Sequence, residues 1–534
     1  MEYINILRNP DSVIVQTNEE WINLINSNSL TWKSKQIQVC LIEVGKEVSV
    51  NVVSTELSVK RVKLRWKQNL ESGLRLLGDH WERGYGDLEW RGIVPERIMP
   101  WYFLSNGDGI THGYGVKTGP NAMCSWQVDS KGITLWLDVR CGGTGVELGS
   151  RELNAATIIS REGIRGESAF KAAQNFCTAL CERPKLPDHP IYGGNNWYYA
   201  YGDSSHDQII EDTKLMTYLS EENENRPYMV IDDGWQICHN NSCNGGPWNS
   251  GNYRFPDMQG LAGKMSELGA RPGIWFRPLL TSMTVPKEFT LPNSRLSSLH
   301  KNDWKDEYLD PSIQGVLELI TLDVKRIVAW GYKLIKHDFS TYDLLGRWGF
   351  EMNGDITEDD WHFADKSKTT SEIILGLYRA IKDAAGDIPV IGCNTISHLA
   401  AGVFEIQRTG DDTSGLQWER TRKYGINTLA YRMPQHGNFY ASDADCVGIT
   451  DKIPWSLNKQ WLDLLSNSGT PLFVSVAKKA IGAEQEKALK QAFKKSSKEM
   501  PIGEPLDWLN TTCPEKWLLN NEITEYDWFG KDIN

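Results

Sequence analysis

The chain has no uninterrupted run of the roughly 20 apolar residues that a membrane-spanning helix requires. It has no excess of basic residues either. Lys and Arg number 57 against 69 Asp and Glu, a net charge of −12, which argues against nucleic acid or an anionic membrane as the main partner. The opening "MEYINILRNPDSV" lacks a basic n-region and an apolar h-region, so no secretory signal is expected. A cysteine framework is also missing. Ten cysteines are scattered, and the closest spacings, Cys177/Cys181 and Cys238/Cys243, have no second pair to complete a zinc site. They read as reduced thiols of a cytoplasmic protein. Only 10 histidines are present, few of them where a metal would need ligands.

Tryptophan, by contrast, is plentiful. There are 22, and their broad apolar faces with one hydrogen-bonding edge suit stacking on sugar rings as well as filling a large core. At 534 residues the chain exceeds one ordinary domain, so a large barrel with an accessory domain is the starting expectation.

Residues 1–185 read as an antiparallel β-sandwich. Runs such as "SVIVQT", "QIQVCLIEV", "VSVNVVS", "VKRVKLRW" and "GITLWLDVR" alternate or are β-rich, with turn residues between them. A helix follows in "ESAFKAAQNFCTAL", then a proline-rich linker, "CERPKLPDHP". From 186 to 500 the texture changes to short apolar runs alternating with helical patterns. Eight runs qualify as strands: "IYGGNNWYY", "YMVIDDGW", "RPGIWFRPL", "YKLIKHDF", "IPVIGCN", "FEIQRTGDD", "FYASDADCV" and "PLFVSV". Each carries polar or aromatic residues at its C-terminal end, the pattern of a (β/α)8 TIM barrel with its active site at that face. The gap between the fifth and sixth runs is too short for a full helix. Residues 501–534 form a short C-terminal tail, too few for a domain of normal size.

Three strand ends carry the chemistry. "LIKHDFS" puts Lys336 and Asp338 on one side of a strand and His337 on the other, packing between barrel and helices. Facing the barrel mouth, Lys336 keeps Asp338 ionised, and an ionised carboxylate there is a plausible nucleophile; a buried structural ion pair is the alternative. "VIDDGWQ" supplies Asp232 and Asp233, which suit a metal, acid–base chemistry or vicinal sugar hydroxyls, with the neighbouring Trp235 offering an apolar face. "QRTGDDTSG" places Arg408 before Asp411 and Asp412. A carboxylate here, across from Asp338, would complete the pair that retaining glycoside hydrolysis needs; a capped loop is the alternative.

As an ordered set, "DDGWQ", "GIWFRP", "LDP" at Leu309–Pro311, "KHDF", "GCN" and "RTGDD" resemble the clan D glycoside hydrolases. Within the clan the resemblance is to α-galactosidase families 27 and 36, and more closely to family 36. It covers roughly Ile191 to Val476. The resemblance implies that Asp338 is the nucleophile and that Asp412, rather than Asp411, is the acid/base. It also implies that Asp232 and Asp233 accept from the 4- and 6-hydroxyls and that Trp197 and Trp275 line the sugar. Lys336 would contact hydroxyls, Arg408 would hold the 2-position, and Cys393 would lie near the ring. No metal and no organic cofactor is implied.

The implied function is a retaining exo-glycosidase that releases terminal α-linked galactose from oligosaccharides by double displacement. The partner is then a small carbohydrate, and a homo-oligomer is in keeping with the family. The alternatives are an α-N-acetylgalactosaminidase or a raffinose-synthase-like α-galactosyl transferase. The mechanism requires Asp412 to be protonated for the first step, so a raised pKa is expected there. Two departures from the family stand out. The tail is shorter than the usual C-terminal β-domain, and "GDHWERGYGDLEW" in the N-terminal third is dense in aromatic and charged residues, fitting either a pocket cap or a structural loop. Asp443 and Asp445 at the seventh strand's end are expected to be supportive.

Overall fold

The computed structural model describes residues 3–530 apart from 29, 35, 72, 241, 242, 302 and 304. Among the described residues, the N-terminal part builds two antiparallel sheets of six and eight strands. Their alternation follows the sequence. Val13 and Val15 in Ser12–Thr17, and Val62, Leu64 and Trp66 in Val59–Lys67, turn inward, while their neighbours turn outward. The helix expected after the sandwich spans Ala169–Leu180 and is capped by the Ser168 side chain. The linker, 181–190, carries no helix or strand.

All eight barrel strands lie where the sequence places them. They are Tyr192–Asn195, Tyr228–Ile231, Arg271–Phe276, Leu334–His337, Val390–Gly392, Ile406–Arg408, a divided seventh strand and Leu472–Val476. Every residue of the first, second and fourth is buried, as expected for parallel strands covered on both faces. The seventh is broken at Asp445, whose φ is +71°. Its first half, Ala441–Asp443, pairs with the sixth strand, and its second half, Cys446–Ile449, pairs with the eighth. Both edges of the sheet therefore belong to one strand, and the ring closes there. The element between the fifth and sixth strands is one helical turn, Ser397–Ala400.

The tail is more ordered than its length suggests. Glu504–Pro505, Lys516–Leu519 and Glu522–Glu525 form a three-stranded antiparallel sheet; 531–534 lie outside the described residues. Trp517 and Trp528 in this part are fully buried, and so are Trp66, Trp101, Trp126, Trp235, Trp275, Trp361 and Trp461. Core filling thus accounts for many of the tryptophans. No described helix is long and apolar enough to cross a membrane.

Candidate active site

The fourth strand ends at His337, and Asp338 follows at the barrel mouth. Three N–H groups converge on its carboxylate. Trp275 Nε1 donates to Oδ2 at 3.0 Å, and the backbone amides of Phe339 and Asn394 donate to Oδ1 at 2.8 and 3.2 Å. Phe339 sits at φ +64°, a costly conformation for a bulky residue, and this turn is what aims its amide back at Asp338. His337 points the other way, as expected, between Tyr378 and Phe404. Burial pushes its pKa down to about 3, so it is neutral.

Lys336 departs from the expectation. Its ammonium donates to Asp232 Oδ2 at 2.6 Å, so Asp232, rather than Asp338, is its hydrogen-bonded partner. Burial alone would favour the neutral amine. The Asp232 carboxylate, with a smaller contribution from Asp338, outweighs it and raises Lys336 well above its ordinary value. Asp232 also accepts from Asn195 Nδ2 at 2.6 Å. The adjacent Asp233 accepts from Gln236 Nε2 at 2.7 Å and stands 3.1 Å from His239 Nδ1.

Trp197 opens the short helix after the first strand and remains partly exposed, and Trp275 is held over Asp338 by its indole bond. Trp235 does not present a face to the mouth as its position suggested. It is fully buried against Trp248 and Trp330 and donates to the Trp275 carbonyl at 3.0 Å, so its role is to hold Trp275.

The sixth strand delivers Arg408, whose guanidinium reaches three groups. It lies 2.7 Å from Asp445 Oδ2, 3.4 Å from Asp412 Oδ1 and 3.5 Å from Cys393 Sγ. Burial pushes the Cys393 thiol well up, with Asp338 adding to the effect, so it stays protonated. Asp412 is about one-third exposed at the mouth. Its pKa is the clearest correction. Burial acts to raise it, but Arg83, Arg408 and Lys336 together hold it below the ordinary carboxylate value, opposite to the raised acid expected. Among the strand-end carboxyls burial raises both Asp232, against the pull of Lys336, and Asp443, which reaches about 6 because burial outweighs Arg408.

Arg83 was not legible as a site residue. It belongs to the aromatic, charged segment at 79–91, which does cap the mouth. Its guanidinium pairs with Asp411 at 2.7 Å and lies 3.6 Å from Asp412. The Gly84 amide donates to the Thr409 carbonyl at 2.8 Å and the Asp411 amide to the Gly84 carbonyl at 2.9 Å, so the sandwich loop extends the sixth strand. Both glycines at this seam are forced by close approach. A Cβ on Gly84 would lie 2.9 Å from Thr428 Cγ2, and one on Gly410 would lie 2.0 Å from the Tyr424 carbonyl oxygen. Glu82, fully buried, accepts from Asn394 Nδ2 and from the Gly349 amide. Trp348, stacked on Tyr342 at 4.6 Å, completes the wall beside Phe339.

The arrangement gathers Asp338, Asp412, Asp232, Asp233, Lys336, Cys393, Arg408, Trp197 and Trp275 onto the C-terminal ends of six barrel strands and the connections that follow them. It offers one seated carboxylate, a second at the rim, and paired acceptors beside an ammonium. That combination suits attack on a carbon bearing several hydroxyl neighbours.

No protein-family model matches the chain. Its structure is similar to that of TtGalA, an α-galactosidase from Thermus thermophilus in complex with p-nitrophenyl α-D-galactopyranoside. The identity is 16%, over 97% of this chain and 99% of that one, with a TM-score of 0.61. It is also similar to the GH36 α-galactosidase AgaA from Geobacillus stearothermophilus, at 14% identity over 91% of this chain and 73% of that one, TM-score 0.55. A GH31 family sulfoquinovosidase from E. rectale matches at 11% identity over 98% and 87%, TM-score 0.59. At such identities the fold is what is shared, and the sandwich-plus-barrel architecture of this chain is that of the GH36 α-galactosidases.

Proposed function

We propose that the protein is a retaining exo-α-galactosidase acting on oligosaccharides, with Asp338 as nucleophile and Asp412 as acid/base. The observation that carries this reading is the seat of Asp338, whose carboxylate is aimed by three N–H donors at the barrel mouth. A carboxylate oxygen of Asp338 attacks the anomeric carbon as the bond to the leaving oxygen breaks and Asp412 gives that oxygen its proton. Water then attacks the same carbon, Asp412 takes a water proton, and the glycosyl ester of Asp338 breaks. Two inversions release the sugar with its α configuration retained. No cofactor enters either step.

Asp232 and Asp233 supply acceptors for the 4- and 6-hydroxyls, with Lys336 as an adjacent donor, and Trp197 and Trp275 flank the ring. Arg408 and Cys393 sit where the 2-position is expected, and Arg83 crowds the same corner, its NH1 3.9 Å from Cys393 Sγ. Guanidinium and thiol donors there support a hydroxyl over an acetamide at that carbon. The ten cysteines are all free thiols, which supports a cytoplasmic setting.

The test is release of nitrophenol from aryl α-galactoside and aryl α-N-acetylgalactosaminide by wild type and Asp338→Asn. Hydrolysis of the galactoside alone, lost by roughly a thousandfold or more in the variant, is expected. Undiminished turnover by Asp338→Asn would overturn the assignment of the nucleophile. A product formed only with an added sugar acceptor would replace hydrolysis with transfer.

A further inference from the structure

The outer face of the six-stranded sheet carries a cleft of about 200 Å³, on the scale of one pyranose ring, that the active site does not use. Trp21, 49% exposed, and Trp136 line it edge to face, their ring centroids 6.0 Å apart at 76°. Trp136 is held in place: its indole N–H donates to Gln127 Oε1 at 2.7 Å, and Lys63 Nζ lies 4.8 Å from its ring centroid. The polar lining is equally ordered. Arg61 donates to Asp138 Oδ2 at 3.3 Å and to Asp355, which reaches in from the barrel. Ser125 is 4% exposed and also lines the cleft, yet its hydroxyl has no hydrogen-bond partner among the described residues.

These features select a ligand class. An anion is disfavoured, because Arg61 is already paired with two carboxylates. A purely apolar ligand would leave the Ser125 hydroxyl unsatisfied and desolvate Asp355. A neutral sugar meets both demands, with C–H faces for the indoles and hydroxyls that donate to carboxylates and accept from serine. Two of the residues lining the cleft belong to segments that also reach the active site. Trp81 lines it two residues before Arg83, and Asp355 lies in the same barrel connection as Trp348.

We propose that this cleft is a second saccharide-binding site, separate from the active site, that takes a pyranose unit of a neutral oligosaccharide. The proposal goes beyond the hydrolytic reading above.

The experiment is titration calorimetry with stachyose on the full chain carrying Asp338→Asn, which blocks turnover. Two molecules bound per chain are expected, falling to one when Trp21→Ala and Trp136→Ala are added. The same two tryptophan substitutions with Asp338 intact should leave aryl α-galactoside hydrolysis within about twofold. Should the double variant fail to fold, Trp21→Ala alone, at an exposed edge position, carries the same test with weakened second-site binding expected. No binding by the parent, or a stoichiometry that the tryptophan substitutions leave unchanged, overturns the proposal. So does a dimer in sedimentation that these substitutions dissociate with no change in saccharide binding. Hydrolysis reports on Asp338 and stoichiometry on the cleft, so the two readings fail separately.

Discussion

Arg83 of the β-sandwich and Asp412 of the barrel stand 3.6 Å apart, so a residue from one domain sets the charge state of the proposed acid/base in the other. The guanidinium lowers the Asp412 pKa, whereas glycosidic bond breaking needs that carboxyl protonated. The alkaline limb of kcat/KM should therefore lie at low pH in the wild type. Arg83→Gln removes the first opposing charge, so the limb should move to higher pH. A pH–rate profile with an unmoved limb would show that Asp412 is not the group that titrates.

Glu82 acts on the nucleophile through Asn394, which donates its side-chain amide to Glu82 and its backbone amide to Asp338. Loosening Asn394 should misplace Asp338 by a fraction of an ångström, a scale at which losses of about 10- to 100-fold in kcat are ordinary. Glu82→Ala should lower kcat more than it changes KM, and Glu82→Gln, which keeps an acceptor, should recover most of the loss. A purely structural role would lower the melting temperature and leave kcat of the folded fraction intact.

Lys336 and Asp232 are both buried, so each is needed to make the other tolerable. Lys336→Met should cost about 3–5 kcal/mol by stranding a carboxylate. Lys336→Met with Asp232→Asn should recover part of it, and a denaturation cycle on the four proteins measures the coupling. Additive losses would contradict the pairing.

Asp443 makes the opposite pH prediction from a salt-bridged acid. Its folded pKa, about 6, exceeds the ordinary 3.8, so the native state holds its proton longer than the unfolded chain does. Its contribution is most favourable below pH 3.8 and is lost as pH rises to 6, a change of about 3 kcal/mol. Asp443→Asn should be stabilised relative to wild type at pH 7 and progressively less so toward pH 4. Melting curves across that range check the sign.

The strand ends were legible because they obey local rules. Parallel strands buried on both faces read as short apolar runs, and a polar residue closing such a run, as in "KHDF" and "RTGDD", marks the barrel mouth. Even the shortened connection between the fifth and sixth strands could be read from the spacing. The pairing partners could not. Lys336 lies two residues from Asp338, but its ammonium bonds to Asp232, more than a hundred positions away, because the second and fourth strands flank the third and bring those side chains together across it. Trp235 gave the same signal as Trp275 and both are buried, yet the Trp275 indole bonds Asp338 while that of Trp235 bonds the Trp275 carbonyl; only packing separates them.

The sequence by itself determined the two-part architecture, the eight strands and the set of strand-end residues, since periodicity and turn chemistry act over a few residues. The tertiary structure alone decided that the 79–91 segment of the sandwich docks onto the sixth strand and inserts Arg83 and Glu82 among the strand-end carboxylates. It likewise decided that Asp412 is held low and Asp443 high. Charge states and docking depend on which groups meet in a low-dielectric interior, and contacts across several hundred residues leave no local trace in the chain.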